Sequence, residues 1–141
     1  RTSKTPGRTT EINFFKVTDE MKLVDLPGYG FSKMSVDKKK NLDILLDDYF
    51  SSRQSLCAAI IFMDIRHPLK NSDTQMMEFC DKHGVPFISV LTKSDKLNSS
   101  TISKSTRDVE RKLGSESVIV TSSKSDVGFD RLSKKIIKFA E

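Results

Sequence analysis

One uninterrupted apolar run, LCAAIIFM over Leu56–Met63, constrains this chain more than any other feature. A strand with one wet face alternates apolar and polar residues, whereas a run that is apolar throughout needs cover on both faces. The run is far shorter than the roughly 20 residues that cross a bilayer. It therefore reads as a strand of a parallel sheet sandwiched between helices. Val85–Leu91 reads as a second buried strand, and Ser117–Thr121 as a short third one.

The intervening segments supply helices. Ser72-Asp73-Thr74-Gln75 has the spacing of a capping box, with Met76, Met77 and Cys80 on the inner face behind it. Thr101–Leu113 reads as a helix closed by Gly114, and Phe129, Leu132, Ile136 and Ile137 mark a final amphipathic helix. Upstream, Leu42, Leu45, Leu46, Tyr49 and Phe50 share one helical face. Ile12–Val17 and Met21–Asp25 read as strands joined by the turn Thr18-Asp19-Glu20. Strands alternating with helices predict an α/β fold with a mostly parallel sheet, and the hairpin supplies one antiparallel edge strand. No repeat or linker interrupts the 141 residues, which fit a single domain over 1–141.

The chemistry gathers after the strands. Thr92-Lys93-Ser94-Asp95 follows the Val85–Leu91 strand, at the carboxyl end where open parallel sheets bind ligands. A carboxylate there can accept two hydrogen bonds from guanine, through N1–H and the 2-amino group. Adenine has no such pair, and polar pairing of this kind discriminates by roughly 10⁴-fold or more. Lys93 can lay its methylene stem along the purine while its head stays polar. Thr121-Ser122-Ser123-Lys124 follows the next strand, where backbone N–H groups could meet the guanine 6-oxo group. Asp25-Leu26-Pro27-Gly28 ends the second hairpin strand. Asp25 can hold Mg²⁺ through water, and the Gly28 N–H can face a γ-phosphate. Thr9, in Pro6-Gly7-Arg8-Thr9-Thr10, can complete the Mg²⁺ shell with its hydroxyl.

Taken together, RTSKTPGRT, NFF, DLPGYG, DIRHP (Asp64–Pro68), TKSD and SSK, with Gly128 behind, resemble the EngB family of ribosome-assembly GTPases across the chain. The resemblance implies a P-loop NTPase-type G domain. It assigns Thr9 to the metal and Asp25 and Gly28 to Mg²⁺ and γ-phosphate. Thr92, Lys93, Asp95, Thr121, Ser122 and Ser123 fall to the base, with GTP or GDP and Mg²⁺ as cofactors. It implies GTP hydrolysis in late assembly of the large ribosomal subunit, with rRNA and ribosomal proteins as partners, and a requirement for normal septation and cell division. Tyr29 stands where Ras-like proteins carry a water-orienting glutamine, so no residue of this chain is expected to be catalytic, and the family is implied to be slow alone. The match begins at Arg1. The first strand, the first helix and the GxxxxGK phosphate loop are therefore expected to lie outside the chain, which alone should neither fold independently nor turn over GTP.

Composition bears on the rest. A net charge of +5 suits a ribosomal partner. Lys38–Lys40 and Lys134, Lys135 and Lys138 nonetheless read as solvated helix faces, because no aromatic stacking pattern accompanies them. Cys57 and Cys80 lack metal-ligand spacing and read as buried free thiols of a reducing cytosol. His67 and His83 read as structural, and Asp64 and Arg66 as a local loop clamp. A bacterial cytoplasm is the expected location, with an organelle of bacterial descent second. A monomer with no membrane partner is expected. Two other functions fit the same residues: another ribosome- or tRNA-related GTPase, or a ribosome-binding fragment without turnover. Arg1–Thr9 and Tyr29–Val36 are expected to be mobile without γ-phosphate.

Overall fold

The computed structural model describes residues 11–28, 35–115 and 117–141. Thr9, with the rest of Arg1–Thr9 and most of the Tyr29–Val36 loop, lies outside the described residues. The chain divides into two compact units, Arg1–Gln54 and Ser55–Glu141.

In the first unit, β1 (Asn13–Lys16) and β2 (Lys22–Asp25) form an antiparallel sheet of their own. Asn13 pairs with Asp25, and Lys16 with Lys22. The turn lies where the sequence puts it. The Thr18 hydroxyl accepts from the N–H groups of Glu20 and Met21 at 3.2 and 3.0 Å. Helix α1 (Val36–Ser52) opens on Ser35, whose hydroxyl caps the Lys38 N–H. Its buried residues are Leu46 and Phe50, while Leu45 of the expected face is exposed. Phe14 meets Tyr49 edge-on, and the Arg53 guanidinium lies 4.8 Å from the Phe14 ring.

The second unit holds a parallel sheet of β3 (Ala59–Asp64), β4 (Phe87–Thr92) and β5 (Ile119–Val120), in that order. Its helices are α2 (Asn71–Lys82), α3 (Ser99–Leu113) and α4 (Phe129–Ala140). Strands β3 and β4 pair residue for residue from Ala59–Phe87 to Asp64–Thr92. Ile88, Val90 and Ile119 pack with Leu132, Ile136 and Phe139 of α4, so α4 covers one face. Ile61, Met63, Ser89 and Leu91 alternate onto the other face and are also buried.

Several details differ from the sequence reading. Phe62 is 58% exposed, so β3, which pairs with β4 alone among the described residues, is not buried on both faces. Cys57 precedes the strand and is exposed, whereas Cys80 is fully buried and its thiol is pushed up to about 11 by burial. Helix α2 starts at Asn71, before the expected box. The Asp73 carboxylate reaches back to the Lys70 N–H at 2.9 Å and so supplants Ser72 and Gln75 as the cap. In α4 the packed aromatic is Phe139, while Phe129 and Ile137 stay largely exposed. Gly114 closes α3 at φ +62°, as expected. No helix among the described residues is long and apolar enough to cross a membrane.

Candidate functional site

Strand β4 ends at Thr92, whose hydroxyl donates to the Met63 carbonyl at 3.2 Å. Lys93 then takes a left-handed conformation at φ +61° and starts a short 3₁₀ turn over Ser94–Lys96. This reversal turns Asp95 back across the carboxyl end of the sheet. One backbone bond fastens its loop to the one after β5, the Ser94 N–H donating to the Thr121 carbonyl at 3.1 Å, while the Thr121 N–H donates to the Leu91 carbonyl of β4 at 2.7 Å.

Ser122 is fully buried, and its hydroxyl joins the two loops. It donates to the Asp95 carboxylate at 2.8 Å and accepts from the Ser125 N–H at 3.3 Å. This bond is the main reason the Asp95 carboxyl sits below its ordinary value. An ionised Asp95 keeps lone pairs for a further donor pair. The loop is closed by the Ser122 N–H donating to the Val127 carbonyl at 3.1 Å. Thr121 and Ser122 have thus committed their N–H groups within the fold. Among the described residues, no bond engages the N–H groups of Ser123 and Lys124, the two of this segment that remain for a ligand oxygen.

Beside these loops stands a group the sequence reading treated as purely local. Asp64 ends β3, and its carboxylate accepts from Arg66 Nε at 3.0 Å and Nη2 at 2.7 Å. The Arg66 guanidinium holds the Asp64 carboxyl well below the usual carboxylate range, with its backbone N–H and Lys93 assisting. The loop clamp is real, but it has a third member: Lys93 Nζ lies 3.1 Å from the same carboxylate. Only the register of β3 against β4 brings these residues together. The Ser105 hydroxyl of α3 donates to the Ile65 carbonyl at 3.1 Å and steadies the loop.

Asp25 and Gly28 lie in the first unit. Asp25 is exposed at the carboxyl end of β2, and no hydrogen bond or ion pair among the described residues engages its carboxylate. A carboxylate without a partner among the described residues fits a water-mediated hold on Mg²⁺, although no cluster of three or more acidic, His or Cys residues among the described residues could ligate a metal by itself. His83 is engaged within its helix: its Nδ1 lies 2.9 Å from the Phe79 carbonyl, and its ring meets that of Phe79 at a tilt of 42°.

A parallel sheet whose carboxyl ends carry these two bonded loops defines an α/β GTPase-type domain, and comparison with known proteins agrees. Residues 1–93 match the family described as "50S ribosome-binding GTPase". Two curated relatives are named "Probable GTP-binding protein EngB". The one from Stenotrophomonas maltophilia is 45% identical over 115 residues, covering 82% of this chain and 58% of its own. The one from Mannheimia succiniciproducens is 41% identical over 140 residues, covering 96% and 68%. This chain belongs to the EngB family. It spans about half to two thirds of the length of the curated relatives it matches. Among solved structures, a probable EngB GTP-binding protein superposes with a TM-score of 0.76 at 17% identity, covering 98% of this chain and 86% of its own. Era bound to MgGDPNP and 16S rRNA nucleotides superposes at 0.74 and 17%, covering 98% and 47%. At such identities these likenesses speak for the fold alone.

Proposed function

We propose that this chain carries the guanine-recognition loops of a protein that binds and hydrolyses GTP and acts in assembly of the large ribosomal subunit, and through it in normal septation and cell division. The observation that carries the reading is the Ser122-to-Asp95 bond, which holds an ionised carboxylate between two loops at adjacent parallel strand ends. Asp95 would accept from guanine N1–H and the 2-amino group. The Ser123 N–H would donate to the 6-oxo group, and Thr92 and Thr121 would brace the loops. Asp25 and Thr9 would serve Mg²⁺, and Gly28 the γ-phosphate. When bound, Mg²⁺ would offset the phosphates' negative charge. The family description and the basic balance of the chain support a ribosomal partner, and its bacterial relatives fit a bacterial cytoplasm.

The test is Asp95→Asn in the protein expressed from its complete gene. The amide places a donor where guanine also donates, so GDP should bind at least about 100-fold more weakly, and xanthosine diphosphate should gain affinity. Isothermal titration reads both, and unchanged GDP affinity would sink the assignment.

A further inference from the structure

We propose that Asp64 is a positioning residue for guanine-nucleotide binding: its carboxylate holds the Lys93 ammonium so that the lysine's methylene stem lies along the purine face. The inference rests on the base-site reading above and adds to it a residue from a different strand, 29 positions earlier in the chain.

The geometry argues against a clamp for its own sake. Arg66 alone already reaches both oxygens of Asp64, and the Arg66 N–H adds a third bond at 3.0 Å. The loop is therefore fixed without Lys93. The Lys93 side chain is 55% exposed, against 15% for Asp64, and an ion pair that open to solvent contributes little to stability. What the pair does supply is direction. A lysine stem has four rotatable bonds, and a free one would lose that freedom on binding a ligand. Anchoring its head beforehand removes part of that loss, which is how preorganisation raises affinity. Arg66 keeps the anchor itself from rotating, so Lys93 finds its acceptor in one place. Lys93 also starts from φ +61°, a backbone setting unusual for lysine, so its Cβ vector is fixed by the same turn that aims Asp95.

The test uses the protein from its complete gene and four variants: Asp64→Asn, Lys93→Ala, their combination, and Asp95→Asn as a control. Asp64→Asn and Lys93→Ala are each expected to weaken GDP by about five- to tenfold, chiefly through faster dissociation. The combination should be no worse than Lys93→Ala within about twofold, because the two residues act through one contact. Lys93→Ala, which leaves the Arg66 clamp intact, should keep the melting temperature within about 2 °C, and Asp64→Asn should gain no affinity for xanthosine diphosphate, unlike Asp95→Asn. GDP binding by Asp64→Asn equal to wild type, while Lys93→Ala is weakened, overturns the proposal and leaves the base site standing. Losses that multiply in the double variant overturn it too, since Asp64 would then act by another route. If Lys93→Ala and Asp95→Asn also bind like wild type, the base-site reading falls and this inference with it. A wild-type measurement covers failure of Asp64→Asn to fold. Held by a carboxylate, the Lys93 ammonium should give a resolved, slowly exchanging NMR signal in the GDP-bound protein, and exchange as fast as that of the exposed Lys134 overturns the pairing.

Discussion

The two units handle their strand ends differently. Of the fifteen buried hydrophobic residues among the described ones, Leu46 and Phe50 belong to Arg1–Gln54, and the other thirteen belong to Ser55–Glu141. Strands β1 and β2 are short and exposed, and β2 ends in an Asp25 without a bonded partner among the described residues. Strands β4 and β5 lie in a covered sheet and end in loops tied to one another by backbone and side chain. A carboxylate meant to read a purine must be held to a fraction of an ångström, which takes a packed sheet beneath it. A carboxylate that would hold an ion through water needs less. The difference teaches that, among the described residues, the bonds between loops are found on the unit whose sheet is covered.

The hardest blow to this contrast would fall on Gly128. It opens α4 at φ +81°, and a Cβ built there would lie 1.9 Å from the Val120 carbonyl oxygen. Both the backbone sign and the space forbid a side chain, so Gly128→Ala should cost more than about 4 kcal/mol in urea unfolding. A cost near 1 kcal/mol would mean that α4 can leave β5 freely and that the second unit is less tightly built than described. Gly114, at φ +62° with open space around it, is the control, with an expected cost of about 1–2 kcal/mol for alanine.

A leucine pair sharpens the comparison directly. Leu91 is fully buried in β4, and Leu23 is 42% exposed in β2. Leu91→Ala should destabilise by about 2–5 kcal/mol and Leu23→Ala by less than about 1 kcal/mol in equilibrium denaturation. Equal costs would erase the distinction.

The smallest effect concerns acid. Asp95 is held below its ordinary 3.8 chiefly by the Ser122 hydroxyl. A carboxylate with a lowered value keeps its contribution above the ordinary value and loses it as pH falls through the lowered one. Ser122→Ala removes the bond and should move the acid limb of GDP binding upward, toward the ordinary carboxylate range, with a modest loss at neutrality. Superimposable acid limbs for the two proteins would show that Ser122 does not set the charge of Asp95.

What the sequence made legible was whatever depends on neighbours along the chain. The apolar character of LCAAIIFM, the cap at Gly114, the turn at Thr18 and the TKSD loop after β4 are all local signals, and all recur in the structure. The capping box was misplaced by competition: Asp73 had two possible roles in the same motif, and reaching back to Lys70 won. Phe62 was misjudged because apolar character says that a residue tolerates burial, not that a partner covers it. Asp64 with Lys93, and Ser122 with Asp95, were illegible as pairs. Each joins residues 27 or more positions apart, and their meeting depends on strand register, which no local motif encodes. Thr9 lies outside the described residues, so the metal assignment rests on resemblance.

The residue-for-residue pairing of β3 with β4 has a consequence for folding fidelity. Sliding one strand by a single position would turn Ile61 and Met63 out of the core and carry Asp64 about 3.3 Å along the strand axis, out of reach of Lys93. The core and the proposed base site are therefore graduated on the same scale, like a vernier set against its ruler. A chain that had closed one notch off would betray itself twice, as an unstable protein and as one that GDP could not rescue. Nucleotide present during refolding would then act as an inspector of alignment, drawing the population toward the one setting at which both scales coincide.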